Sequence, residues 1–222
     1  MKKPILFLVL AFICSNVLAQ SPIRFYENGK VGYSLLGKVI VKSIYDGGSD
    51  FADGFALVVK DGKRGFLNES GEIAIPLVYD DASMFHEGLA KVMKNGKFGF
   101  INTQNKVVVD FTYEIADDFV GGLARVKQNG HWGFIDVNNK TVVPCNYENA
   151  NNFSEGFASV CMNGKWGFIN STGEMVIPFQ YDQAYFFNKG ECKVTKGDDS
   201  FFINTQNQIL RQEEKRENLE ER

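Results

Sequence analysis

Apolar and polar residues alternate along this chain in short runs, and the runs recur. Leu89-Ala90-Lys91-Val92-Met93-Lys94 alternates with the period of two of a half-buried strand. Asn95-Gly96 follows it, and the same place is held elsewhere by Asn28-Gly29, Asp61-Gly62, Asn129-Gly130 and Asn163-Gly164. Asn-Gly and Asp-Gly accept positive φ at both central positions of a two-residue turn, so each predicts a β-hairpin. The second strand, Lys97-Phe98-Gly99-Phe100-Ile101-Asn102, leads to a turn at Asn105, matched by Gly37, Gly71, Asn139, Gly173 and Asn207. Gly and Asn enter the left-handed region at low cost. The third strand is Lys106-Val107-Val108-Val109, with Pro76, Pro144 and Pro178 near its end in other copies. Proline there marks a strand end or an edge. The stretch through Tyr113, Ala116 and Phe119 is expected to pack back over the sheet as a cover.

The spacing of these signals is constant. The glycine of a Gly-x-x-Gly-aromatic signature falls at Gly32, Gly65, Gly99, Gly133 and Gly167, in steps of 33, 34, 34 and 34. Phe51/Gly54, Phe85/Gly88, Phe119/Gly122, Phe153/Gly156 and Phe187/Gly190 keep step with it. So do Tyr45-Asp46, Tyr79-Asp80, Tyr113-Glu114, Tyr147-Glu148 and Tyr181-Asp182. Such a period predicts units that bury their apolar faces against their neighbours. Helical repeats of this length need three-and-four apolar spacing without interior Gly or Asn-Gly, and each unit here breaks that rule several times. The fold class is therefore all-β: about five and a half 34-residue repeats, each a three-stranded antiparallel meander, in an open solenoid-like array. A β-propeller is the alternative, disfavoured because 34 residues is short for four strands per blade. The glycines at 65, 99, 133 and 167 lie between bulky residues inside a strand, where an aromatic from the adjoining strand or repeat is expected to cross them.

The ends read differently. Lys2 and Lys3, the apolar run Ile5 to Ile13 and Val17-Leu18-Ala19 form the pattern of a secretory signal over residues 1–19. The apolar run is well short of the roughly 20 residues that span a bilayer. Residues 20–210 form the repeat domain and 211–222 a charged tail with Leu219 as its one strong apolar residue. No other segment is expected to be membrane-integral. The formal charge of −3 becomes −5 without Lys2 and Lys3, from 22 basic and 27 acidic side chains, which argues against nucleic acid as a partner.

Repetition also weighs the candidate chemistry. Of the three cysteines beyond the signal, Cys192 takes the place of Ala56, Ala90, Ala124 and Ala158, and Cys145 that of Leu77, Phe111 and Phe179. Cys161 takes the place of Lys127, a solvent-facing position, which makes it the one candidate for a reactive thiol, although a free cysteine is ordinarily just a small hydrophobe. His86 and His131 each occur in one copy at surface positions, with no metal-ligand spacing to cysteine or acid. Asp46, Asp80, Glu114, Glu148 and Asp182 recur in every copy, which favours turn hydrogen bonding over paired acid catalysis. No phosphate loop or dinucleotide fingerprint is present, so neither cofactor nor metal is expected. One slot varies: Val31, Arg64, Phe98, Trp132 and Trp166. Facing outward, Arg64, Phe98, Trp132 and Trp166 would form a binding stripe of aromatic anchors; facing inward, they pack between repeats.

Gly164-Lys165-Trp166-Gly167-Phe168-Ile169-Asn170, with Gly173, Val176-Ile177-Pro178 and Tyr181-Asp182 behind it, resembles the WG repeat family, also called KWG repeats. Gly130-His131-Trp132-Gly133-Phe134-Ile135-Asp136 is nearly as close, and the resemblance covers about residues 29 to 211. The chain departs from the pattern at Val31, Arg64 and Phe98, and at Asp198-Asp199-Ser200-Phe201. The resemblance implies a bacterial, often exported, β-rich protein without a general catalytic activity, and it supplies no catalytic residues. The expected function is a non-catalytic binding or scaffold module of the periplasm, cell envelope or extracellular space, with a protein or envelope glycan as partner. A hydrolase using carboxylates from different repeats and a purely structural envelope protein are the competing classes.

Overall fold

The computed structural model describes residues 21–213, which form six antiparallel sheets in chain order and no helix. The leader assigned to 1–19 and the tail beyond residue 213 lie outside the described residues. The fourth sheet shows the unit: Ile115–Ala116, Leu123–Gln128, His131–Asp136 and Thr141–Tyr147, each paired with the next. The long strands are joined by the Asn-Gly turns, where Asn129 and Gly130 have φ of 51° and 78°. The second turns are as expected, with positive φ at Gly37, Gly71, Asn105, Asn139, Gly173 and Asn207.

The three-stranded meander carries an addition that the sequence did not announce. In sheets two to six a short leading strand pairs with the first long strand. It is two residues in most copies and six in sheet three, Asp81–His86. The stretch expected to be a loose cover is thus half of a third hairpin, closed at Asp53-Gly54, Glu87-Gly88, Gly121-Gly122, Glu155-Gly156 and Lys189-Gly190, all with positive φ. Glutamate and lysine rarely announce a left-handed turn, which is why the pattern hid it. Its burial was read correctly: Tyr113, Ala116 and Phe119 are in the core. One residue, such as Glu148, separates the last strand of a sheet (ending at Tyr147) from the leading strand of the next (starting at Asn149). Extensive contacts among the described residues run within a sheet or to the next one.

Three further differences concern the last long strand. It runs seven residues, Val107–Tyr113 in sheet three, and proline sits inside it rather than at its end. Between the pairs Trp132↔Tyr147 and Phe134↔Val143, three residues (Pro144, Cys145 and Asn146) face the single Gly133. A bulge frees the proline nitrogen from the ladder, and the strand is the sheet's edge. The glycine faces this bulge backbone rather than an aromatic ring: a Cβ on Gly133 would lie 2.5 Å from the Val143 carbonyl oxygen and 2.7 Å from the Cys145 nitrogen. Gly65, Gly99 and Gly167 repeat this, and only at Gly32 does a ring, that of Phe25, also approach. Finally, the sixth copy completes its third strand with Ile209–Gln212, two residues past the expected boundary at 210.

Each core lies between two consecutive sheets. Phe134 and Val143 of sheet four meet Ala158, Val160 and Ile169 of sheet five, a large side chain against small ones. The phenylalanine of each Phe-x-x-Gly locks the pair by packing on the preceding sheet. Phe119 lies 4.7 Å from Phe100, Phe153 4.6 Å from Phe134 and Phe187 5.0 Å from Phe168, centroid to centroid. Such tilted aromatic pairs add to the area term. Burial raises the pKa of Tyr45, Tyr79, Tyr113, Tyr147 and Tyr181, and pushes that of Tyr33 up to about 12. The unfolded chain releases these protons near pH 10, whereas the folded chain keeps them, so stability is full below about pH 10 and falls toward pH 12. Melting followed by circular dichroism should show this alkaline loss. A melting temperature constant up to about pH 12 would contradict it.

Acids stitch the turns together. Asp46 pairs with Lys30 of sheet one and accepts a hydrogen bond from the Asp61 amide in the Asn-Gly-type turn of sheet two, 2.7 Å away. Asp80 and Asp182 do the same with Lys63 and Lys165, and the lysine bond holds all three carboxyls below the usual carboxylate range. Glu87 accepts from the amides of Gly121 and Gly122 (2.7 and 2.9 Å), and Glu155 from those of Lys189 and Gly190 (2.6 and 2.8 Å). Gly121 holds the place where the acid of copy four would stand. A Cβ there would meet nothing within 4 Å, and φ is 60°, against 52° at Glu87 and Glu155. Gly121→Glu should therefore stay within about 1 kcal/mol of the parent in a denaturant melt, although a left-handed non-glycine residue ordinarily costs about 1–2 kcal/mol. A loss of that full size would show that the acid makes no bridge.

Candidate functional site

The variable slot sits at the start of the second long strand, paired on one side with the first strand and on the other with the recurring tyrosine. Trp132 faces Lys127 and Tyr147, and Trp166 faces Cys161 and Tyr181. Arg64, Phe98, Trp132 and Trp166 are all half-buried, while Val31 is fully buried. Each aromatic packs partly on an inter-sheet core, and Trp166 also lines a cleft with Gln183 and Ala184, the leading strand of the following sheet. They occupy the same place in successive sheets and are not gathered into one pocket.

What covers the slot differs from copy to copy. A basic residue of the first strand stands diagonally beside it as Arg24, Lys91 and Arg125. Arg24 donates to the Gly48 carbonyl across the sheet boundary and pairs with Asp50 at 3.2 Å. In copy two that position is Leu57, and the slot residue Arg64 does the work instead, pairing with Asp81 and donating to the Ala82 carbonyl at 3.5 Å. Lys91 lies over Phe98 at 5.8 Å and reaches Asp118 at 3.7 Å. Arg125 stacks on Trp132 at 4.4 Å, pairs with Asp117 at 2.7 Å and donates to the Ala150 carbonyl. A guanidinium stacked on a ring and held by a carboxylate and a carbonyl, as Arg125 is, covers the ring beneath it.

Copy five lacks the cover. Ser159 replaces the base, buried, and its hydroxyl accepts from the Asn151 amide at 2.8 Å. Asn151 also satisfies the boundary carbonyl, that of Ala184, at 3.3 Å. An open cleft of about 460 Å³ lies here, lined by Asn149, Asn151, Trp166, Asp182, Gln183, Ala184 and Tyr185. Tyr185 and Phe186 are 47% and 58% exposed. At their two positions the other copies carry Ser49-Asp50, Ser83-Met84, Asp117-Asp118 and Asn151-Asn152. This aromatic pair was missed in the sequence because it falls in the stretch taken for a connection. The signal was present, as aromatics standing in a polar slot of the repeat. Two more clefts adjoin: one of about 350 Å³ between Arg125, Asn151 and Phe186, another of about 420 Å³ between Phe186, Lys193, Phe202 and Arg211.

Cys161 is corrected by the same geometry. It is 7% exposed, beneath the pairing with Trp166, and burial followed by the Glu148 charge raises its thiol. A thiol held in the neutral form is a poor nucleophile. Cys192 is buried and pushed up to about 11. His86 lies 3.9 Å from Asp118 and the His131 ring 3.0 Å from the Asn129 carbonyl, both exposed. Glu114 and Glu148 accept amide hydrogen bonds from the turns at Gly130 and at Asn163 and Gly164, so the five recurring acids all serve turns.

At the last sheet Arg211 stands where Ile75, Val109, Val143 and Ile177 are buried in earlier copies. It lies over Phe202 at 3.9 Å and pairs with Glu191 at 2.7 Å. A charged outer face of this kind ends an array that a further sheet would otherwise extend.

Comparison with known proteins agrees with this unit. A family pattern described as "WG containing repeat" matches five times, at residues 34–63, 65–98, 98–131, 132–166 and 166–198. No curated protein matches the chain. Among solved structures, a eukaryotic initiation factor is similar with a TM-score of 0.50 and 10% identity, over 85% of this chain and 62% of that one. Kluyveromyces lactis Hsv2 is similar with a TM-score of 0.47 and 8% identity, over 84% and 71%. An extracellular domain assigned to a hybrid two component system of B. thetaiotaomicron is similar with a TM-score of 0.39 and 15% identity, over 76% and 28%. At such identities the likeness is one of fold.

Proposed function

We propose that this chain, which belongs to the WG containing repeat family, is an exported, non-catalytic module that binds a component of the cell envelope, protein or glycan. The observation that carries the reading is the contiguous surface around Trp166, Tyr185 and Phe186, where the repeat departs from its own polar pattern to expose aromatic rings. Aromatic anchors beside a few convergent polar groups are what recognition sites are made of. The rest of the slot supports scaffolding: Arg64, Phe98 and Trp132 are engaged with charges of their own or the next sheet. Export rests on Lys2, Lys3 and the apolar run behind them.

The test is retention of the mature chain by isolated envelope material. The Trp166→Ala/Tyr185→Ala double variant should lose retention while a Phe98→Ala variant keeps it. Equal retention of the parent and the double variant would overturn the placement of the site.

A further inference from the structure

We propose that the open cleft of copy five binds a neutral, linear glycan, with a sugar ring seated on the face of Trp166. This rests on the binding-module reading above and names its ligand. Trp132 and Trp166 are equivalent in the repeat, yet Arg125 lies 4.4 Å over the Trp132 ring and, among the described residues, no cation caps Trp166. Two exchanges cause it: Ser159 stands where Arg125 does, and Cys161 where Lys127 lies 5.5 Å over the Trp132 ring. The Asn151 side chain, bonded to Ser159 and to the Ala184 carbonyl, closes the sheet boundary without covering the ring. A flat indole face is thereby left open beside the amides of Asn149 and Gln183, the Asp182 carboxylate and the Tyr185 phenol.

The chemistry of that set selects a sugar. The C–H face of a pyranose stacks on an aromatic ring, and its hydroxyls both donate and accept, which amides and a carboxylate answer in kind. A peptide hot spot calls for a dry, fully desolvated pocket, and this cleft is open and sets Asn149, Asn151, Asp182 and Gln183 beside its two aromatic rings. Asp182, held ionised by Lys165, and the net charge of the chain oppose a polyanion. Length follows from the neighbours: Tyr185, Phe186 and Asn151 are shared between the three adjoining clefts, so the surface is a track with room for several residues of a chain.

The repeat itself designs the test. Ser159→Arg should place on Trp166 the cover that Arg125 places on Trp132. The probes are cellohexaose, laminarihexaose, xylohexaose, mannohexaose and chitohexaose, titrated by calorimetry and by tryptophan emission. At least one should bind the parent chain, and Ser159→Arg and the surface variant Tyr185→Ala should each weaken it at least about tenfold, or 1.4 kcal/mol, with melting temperatures unchanged. Lys91→Ser, outside all three clefts, should leave that binding intact. Failure of all five probes to bind, or binding indifferent to Ser159→Arg and Tyr185→Ala, would overturn the proposal. Should envelope retention still depend on Trp166 and Tyr185 when no probe binds, the ligand class falls and the binding module stands. Should retention be independent of them, the module reading falls as well.

Discussion

A Phe119→Ala chain is expected to lose about 3–5 kcal/mol of stability, the range for emptying a well-packed aromatic site. Phe119 is 2% exposed and packs 4.7 Å from Phe100, sealing sheet three to sheet four in the middle of the array. Its contacts reach the core that also holds Tyr113, Ala124, Val126 and Ile135. In a linear array each sheet is stabilised by its neighbours alone, so a broken middle interface also uncouples the two halves. Denaturant unfolding of the variant should become broad or biphasic as well as shifted. A sharp transition displaced by less than about 1 kcal/mol would show that this ring is not what joins the sheets.

Gly133→Val is the second large effect. The glycine has ordinary φ, so the penalty is purely steric, and the atoms in the way are backbone: the Val143 carbonyl oxygen at 2.5 Å, the Cys145 nitrogen at 2.7 Å and the Pro144 carbonyl carbon at 2.8 Å. Backbone cannot swing aside as a side chain does, so the bulged strand must leave the ladder. A loss of about 1–3 kcal/mol or more is expected on the overpacking scale. The sixth copy supplies the comparison. Phe201 stands at the equivalent place, and there Phe201↔Gln212 and Phe202↔Arg211 pair in succession without the three-residue bulge. A side chain at this position and the bulge exclude each other. A thermal melt of Gly133→Val matching the parent would refute the close approach.

Those two positions also show what the sequence could and could not reveal. Hairpin turns were legible because Asn-Gly and the lone left-handed Gly or Asn are local requirements, satisfied within two residues. The presence of something close against Gly133 was legible too. Its identity was not, because the partner is set by two extra residues in a strand that lies ten positions away. Pro144 in mid-strand was the available hint, since a proline tolerated there implies an interrupted ladder. The leading strand was hidden by Glu87, Glu155 and Lys189 in left-handed turns, positions stabilised by tertiary bonds such as Glu87 to the amides of the next repeat. Cys161 misled because its counterpart Lys127 is long enough to carry its charge over the Trp132 ring, 5.5 Å from the centroid, whereas a short side chain at that place is buried.

The candidate site was legible in its anchor and not in its setting. Trp166 stood out as a variable-slot aromatic, together with Arg64, Phe98 and Trp132. Which of the four is open depends on the residue diagonal to it in the preceding strand, and that relation appears only when the pairing register is known. With the register in hand, Ser159 against Arg24, Lys91 and Arg125 is readable directly from the aligned copies.

That contrast can be measured without any ligand. The chain contains two tryptophans, so a Trp132→Phe protein reports Trp166 alone and a Trp166→Phe protein reports Trp132 alone. Acrylamide, a neutral quencher, should quench Trp166 with the steeper Stern–Volmer slope, because no guanidinium lies over its ring. Arg125 and Lys127 both lie over Trp132, so adding Arg125→Ser and Lys127→Cys to the Trp166→Phe protein should raise the Trp132 slope toward that of Trp166. Equal slopes for the two tryptophans, or a steeper one for Trp132, would contradict an open aromatic cleft in copy five.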